Sequence, residues 1–212
     1  MESSARKFVL FDFDGVIADS LALSYEITRS FNPEVDEEKY RRLYEGNIYD
    51  SISKLPGWHP GHPEEYFKRF SPRMKDEVHL AQGMDDVIKK LAATYTLAII
   101  SSTPTAGIQW FLAKHGLTEY FADILGRDVH HSKVEKMRMV FEKHKTIAQH
   151  CVFITDTLGD MREAQAHEMG AIGTSWGVHP RETLEKGIPF RIVEHARELP
   201  DAVDDYFARA TV

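Results

Sequence analysis

Cysteine is all but absent. Cys151 is the only one in 212 residues, so the chain can form no intrachain disulfide and no cysteine-rich zinc site. Long apolar runs are missing too. Stretches such as Leu97–Ile100 are far too short to span a bilayer, and Met1–Lys7 lacks the apolar segment of a secretory signal. Positive charge is in deficit: 26 Lys and Arg face 33 Asp and Glu, for a formal net charge of −7. No basic stripe interrupts that balance, which argues against a nucleic-acid partner. Internal repeats, low-complexity tracts and long linkers are also lacking. What remains is 42% hydrophobic and 28% charged, the composition of an ordinary globular protein. At about 150 residues per domain, the length suits one large domain or one domain with a small insert. The expectation is a soluble, cytoplasmic protein without a membrane partner, and nothing in the composition specifies an oligomeric state.

Several short apolar runs are continuous rather than alternating, the pattern of parallel strands buried on both faces. They are Phe8–Phe11, Thr96–Ile100, Cys151–Thr155 and Ala171–Thr174, with Ala122–Leu125 and Phe190–Val193 as further candidates. Helical patterns lie between them. Ile108–His115 follows Thr103-Pro104, a cap and a first-turn proline. Ser132-Lys133-Val134-Glu135 reads as a capping box opening a helix through about His144, and Thr157–Met169 reads as a helix stopped by Gly170. This alternation predicts an α/β fold: a Rossmann-like parallel sheet with helices on both faces. Between Gly15 and about Gln82 no convincing buried strand occurs, only helical patterns broken by turns such as Asn32-Pro33 and Pro56–Pro63. That length exceeds one crossover helix. It predicts a helical cap subdomain, 17–82, inserted into a core formed by 1–16 and 83–212.

Chemistry gathers where strands end. Phe8–Phe11 runs into Asp12-Phe13-Asp14-Gly15, Thr96–Ile100 into Ser101-Ser102, and Cys151–Thr155 into Asp156, with Asp160 four residues later. The carboxyl ends of strands line the ligand crevice of an open α/β sheet. One Asp after a strand is often only a turn former. Asp12 and Asp14 at i, i+2 instead point to the same side, within reach of one metal or phosphoryl group. Gathered carboxylates repel one another and lose hydration, a cost of several kcal/mol per unpaired buried ion. A hard divalent cation such as Mg²⁺ and a basic side chain offset that cost. Read in isolation, Lys133 is a solvated helix residue and Cys151 a small core hydrophobe. His59, His62 and the pair His130-His131 show no ligand spacing and read as loop histidines.

These residues resemble the haloacid dehalogenase-like hydrolase superfamily, in the branch with a small helical cap after the first strand. Phe11–Ser20 is similar to its first motif, Ser101 to its second, Lys133 to its third and Thr155–Asp160 to its fourth. The motifs come in order over most of the chain. Four departures stand out: Ser102 where the family often has Asn, Val134 where it often has Pro, Thr155 where it usually has Gly, and Gly159 where it often has Asn. Lys136 competes with Lys133 for the third motif. The resemblance implies Asp12 as nucleophile, Asp14 as general acid and base, and an aspartyl-phosphate intermediate. It implies phosphate contacts from Ser101, Lys133 and the amides of Ser102 and Gly15. It also implies Mg²⁺ held by Asp12, the Asp14 carbonyl, Asp156 and Asp160. An acid at position 14 points to a phosphate ester, so a phosphatase of small phosphorylated metabolites is expected. A sugar-phosphate mutase and a non-catalytic phosphate-ligand-binding protein are the alternatives. Glu45, Gly46 and Asn47 stand where the family has a specificity loop, although an ordinary helix-breaking turn explains them equally. The aromatic residues from Tyr25 to Phe67 read as cap core more readily than as a stacking pocket.

Overall fold

In the computed structural model, which describes residues 6–209, the apolar runs form a six-stranded sheet. Its strands are β1 (Phe8–Phe11), β4 (Thr96–Ile100), β5 (Phe121–Leu125), β6 (Cys151–Thr155), β7 (Gly170–Thr174) and β8 (Arg191–Val193). The order is β5-β4-β1-β6-β7-β8, and every neighbouring pair is parallel. The pleat explains the continuous apolar runs, since alternate residues enter two separate cores. Val9, Phe11, Leu97 and Ile99 pack beneath α5 (Met84–Ala92), α6 (Thr105–Lys114) and α10 (Leu199–Arg209). Phe8, Leu10, Ala98 and Ile100 face α7 (Lys133–His144) and α8 (Leu158–Gln165). Each such side chain, fully buried, contributes roughly 1.5–3 kcal/mol. From β1 the chain builds the sheet outward through β4 and β5 on one side, then crosses back to add β6, β7 and β8 on the other, so the crevice of this sheet opens beside β1.

After β1 come β2 (Ala18–Asp19), α1 (Leu21–Phe31), α2 (Glu37–Arg42), α3 (Ile48–Ile52), α4 (His62–Glu77) and β3 (His79–Leu80). The two short strands pair antiparallel, Ala18 with Leu80 and Asp19 with His79, and tie the ends of the helical segment together. The sequence pattern misses them because two residues carry no periodicity. α1 and α4 extend the core under the sheet through Leu23, Ile27, Phe70 and Met74, while Val35, Tyr40 and Leu43 form a small core of their own. The expected core range, 1–16 and 83–212, reaches past the described residues at both ends.

Two helix ends differ from expectation. α6 starts at Thr105 with Pro104 as its cap, because the Thr103 side chain is bonded elsewhere. α8 ends at Gln165, and Glu168 takes the left-handed conformation (φ 57°) expected of Gly170. Gly170 instead opens β7, where a Cβ would lie 2.3 Å from the Tyr206 ring. The remaining short helix, α9, spans Arg181–Leu184. None of the described helices is long and apolar enough to cross a membrane.

Candidate active site

β1 ends by delivering Asp12, whose amide donates to the Ile154 carbonyl at 2.9 Å and so ties it to the end of β6. A tight loop follows, with the amides of Ile17 and Ala18 both donating to Phe13 O at 2.9 Å. The loop turns at Gly15, which has φ +74°, and a Cβ there would lie 2.1 Å from Asp156 Oδ2. Handedness and close approach both require glycine at this point. Asp12 and Asp14 line the same cavity, together with Asp156 and Asp160 from the end of β6 and the first turn of α8.

Lys133, the first residue of α7, reaches between two of these acids. Its Nζ lies 2.7 Å from Asp12 Oδ2 and 2.6 Å from Asp160 Oδ2, with 5% of the residue exposed. Burial opposes its charge, but Asp12 and Asp160 outweigh that and hold its pKa above the ordinary value. Lys136 does something else. It is fully buried, donates to the carbonyls of Ser101 and Gly126, and is pushed down to about 8 by burial and by Lys133. Of the two candidate lysines, the fold brings only Lys133 to the carboxylates.

The acids are held differently. Asp14 accepts from Ser20 Oγ at 2.8 Å and from Thr103 Oγ1 at 2.6 Å, yet burial still raises its pKa, which favours a proton-carrying form. Asp160 stays ionised. Burial acts against that, but Lys133 and the Thr155 hydroxyl at 2.7 Å prevail and lower its pKa. Asp12 is raised by burial and by the carboxylates of Asp160 and Asp156, against the pull of Lys133. Asp156 is fully buried, and burial pushes it up to about 7. Its Oδ2 accepts from the Val178 amide at 2.7 Å, while its Oδ1 has no hydrogen-bond partner. The donor set is therefore all oxygen, short of positive charge and carries one orphaned buried carboxylate oxygen. That is the environment a hard cation fits.

Other expected site residues are distributed unevenly. Gly15, Ser102, Gly46 and Asn47 line the cavity. Ser101 and Glu45 are not brought to it. Ser101 is wholly buried, and its Oγ accepts from the Thr103 amide at 3.0 Å, so it shapes the loop after β4. Glu45 contributes its backbone carbonyl to Arg162 Nη1. Asn47 donates to Glu163 Oε1 at 3.1 Å. His59, His62 and Glu65 have ligand-capable atoms within 4.8 Å of one another, a proximity created by the turn into α4.

Three functional positions escaped the sequence reading. Thr103 lies two residues past the expected serine, and only the loop geometry turns its hydroxyl to Asp14. Gly177 packs as closely on Asp156 as Gly15 does, since a Cβ there would also lie 2.1 Å from Oδ2. His179 joins the halves of the molecule. Its Nδ1 accepts from the Leu158 amide at 2.9 Å, so Nε2 carries the proton it donates to Arg41 O, also at 2.9 Å. Burial lowers its pKa and keeps the ring neutral, as that pairing needs. Arg41 in turn donates to the Val178 carbonyl. A side chain that bridges elements 138 residues apart leaves no local mark in the sequence.

The chain is similar to known proteins over most of its length. The family model described as haloacid dehalogenase-like hydrolase matches residues 9–174. Phosphoglycolate phosphatase of Vibrio parahaemolyticus is 24% identical over 93% of this chain and 96% of its own length. The phosphoglycolate phosphatase of Synechococcus elongatus is 24% identical over 92% and 96%. Among solved structures, a predicted phosphatase from Clostridium acetobutylicum superposes with a TM-score of 0.78 at 20% identity, covering 95% of this chain and all (100%) of its own. A haloacid dehalogenase-like family hydrolase from Streptococcus pneumoniae gives 0.75 at 18% identity, with coverage of 95% and 100%.

Proposed function

We propose, from the premise that the chain belongs to the haloacid dehalogenase-like hydrolase family, that it is a Mg²⁺-dependent phosphatase of small phosphate monoesters. The observation that carries this reading is the pair Asp12 and Asp14 in one cavity, with Lys133 against Asp12 and an orphaned Asp156 oxygen beside them. The phosphatase names of the relatives support it. Residues 17–82 act as the cap, and 83–212 with 1–16 as the core.

Asp12 attacks phosphorus in line, forming an acyl phosphate as the bond to the leaving alcohol breaks. Asp14, held by Ser20 and Thr103 in a buried setting that raises its pKa, gives a proton to the departing alkoxide. Water then attacks the same phosphorus, Asp14 takes its proton, and the bond to Asp12 breaks to release phosphate. Lys133 and the amides of Gly15 and Ser102 bind the equatorial oxygens, where charge lies in the transition state. Ser101 acts through the loop it holds. Asp12, the Asp14 carbonyl, Asp156 and Asp160 would hold Mg²⁺, which when bound offsets the repulsion between carboxylate and phosphate dianion.

The test is to quench the full chain with labelled acetyl phosphate in Mg²⁺ and map the label. Phosphate on Asp12, lost in Asp12→Asn and lost in excess EDTA, is the expected result. Label on another residue, or undiminished turnover with metal content measured as nil, overturns the reading.

A further inference from the structure

The cavity that starts at the carboxylates continues into the helical segment 17–82, with a volume of about 190 Å³. Its far walls are mostly aromatic and aliphatic side chains. On α4, Tyr66 stacks on Phe70 with ring centroids 5.6 Å apart, and Phe67 meets Tyr66 edge-on at 5.1 Å, so this wall is already packed. Ile52 and Trp58 line the same cavity. None of the described Asp, Glu, Lys or Arg residues of 17–82 lines the cavity, and His62 is the only titratable heterocycle from that segment to do so. The polar atoms available there are uncharged hydroxyls and amides, such as the Tyr40–Tyr44 hydroxyl pair at 3.0 Å. At the other end, Lys133 is the only lysine or arginine among the described lining residues, and Asp12 and Asp160 already engage it.

A substrate must place its phosphate at the carboxylate end and its alcohol portion among these walls. A carboxylate on that portion, as in 2-phosphoglycolate, would lie near Asp14 and Glu163 without a free cation, and an unpaired buried charge is strongly disfavoured. A cationic head group would find no carboxylate in the far end. Resting on the phosphatase reading above, we propose that the leaving alcohol is an uncharged, ring-sized hydrocarbon group. The volume covers the phosphate end as well, so it leaves the alcohol portion room for one ring at most, since a dry apolar cavity of about 150 Å³ accepts benzene. Burying such a group is worth about 10- to 100-fold in affinity.

The experiment compares kcat/KM for benzyl phosphate, cyclohexylmethyl phosphate, 2-phosphoglycolate and phosphocholine in Mg²⁺, with acetyl phosphate as a control donor that carries no ring. All four esters expel primary alkoxides, and the ammonium of choline makes its alkoxide the better leaving group, so a preference for the ring esters over phosphocholine cannot come from leaving-group strength. Both ring esters should exceed 2-phosphoglycolate and phosphocholine by 10- to 100-fold. Ile52→Lys, which places a cation in the cavity, should lower that ratio at least tenfold in favour of 2-phosphoglycolate. Trp58→Ala should raise KM for the ring esters if the lysine variant fails to fold. A preference for 2-phosphoglycolate or phosphocholine, or turnover of acetyl phosphate alone, overturns the substrate class and leaves the phosphatase reading standing. No turnover of any compound and no label on Asp12 removes the phosphatase reading, and this inference with it.

Discussion

Gly159 offers a perturbation whose size follows from distances. It is the second residue of α8, where its amide donates to Tyr44 O at 2.9 Å. A Cβ at this position would lie 2.3 Å from Gly46 O and 2.8 Å from Tyr44 O, both backbone atoms of the loop between α2 and α3. Ordinary carbon–oxygen contact requires that loop to retreat by about 1 Å, and the hydrogen bond is lost with it. Overpacking of this kind costs about 1–3 kcal/mol and the lost bond about 0.5–1.5 kcal/mol. The docked position of the loop over the carboxylates should therefore weaken by roughly 2–4 kcal/mol, or between tenfold and a thousandfold in population. α8 itself gains, since alanine is about 1 kcal/mol better than glycine inside a helix. Gly159→Ala should consequently lose between tenfold and a thousandfold in kcat/KM on a preferred ester, while Tm falls by less than that loss implies because the helix gain offsets about 1 kcal/mol of it. Hydrogen exchange at residue 159 should quicken in the same variant. Unchanged kcat/KM with unchanged Tm would falsify the claim that this contact closes the site, and a fall in Tm that tracks the activity loss would place the damage in the core instead.

Three further outcomes follow from the same geometry. Asp14→Asn should cost about 10²–10⁴-fold on an alkyl ester and clearly less in the phosphorylation step on an activated aryl ester; equal losses in single-turnover measurements on both would make Asp14 a structural residue. Lys133→Ala should remove nearly all turnover, whereas Lys136→Met should act through stability, because two buried carbonyls lose their donor; the reverse pattern in paired activity and melting measurements would reassign the phosphate-binding lysine. Gly177→Ala forces a Cβ against Asp156 Oδ2 and should weaken apparent Mg²⁺ affinity about 10- to 100-fold in a metal titration, the scale typical of disturbed support around a metal ligand. An unaltered titration curve would show that Asp156 does not hold the ion.

Much of this protein was legible along the chain, because the signals concerned are local. Continuous apolar runs marked β1, β4 and β6 to the residue, since a strand buried on both faces is apolar along nearly all of its length. The serine at 132 and the acid at 135 marked the start of α7, and the i, i+2 spacing placed Asp12 and Asp14 in one cavity. Other features depended on which segments meet. Lys133 and Lys136 lie on one helix three residues apart, and only the approach of α7 to the sheet sends one to the carboxylates and the other to backbone carbonyls. Ser101 was a reasonable ligand by position, yet the turn after β4 uses its hydroxyl and presents Thr103 to Asp14. The aromatic side chains of 17–82 proved to be both core and wall. Tyr40 and Phe70 are each 1% exposed and still line the cavity, a dual role that no linear pattern distinguishes. Periodicity and caps report on neighbours within a few residues, so the sequence alone determined the sheet and the carboxylate pair. The company each carboxylate keeps was decided by contacts such as that of Thr103 with Asp14, 89 residues apart, which exist only once the chain has packed.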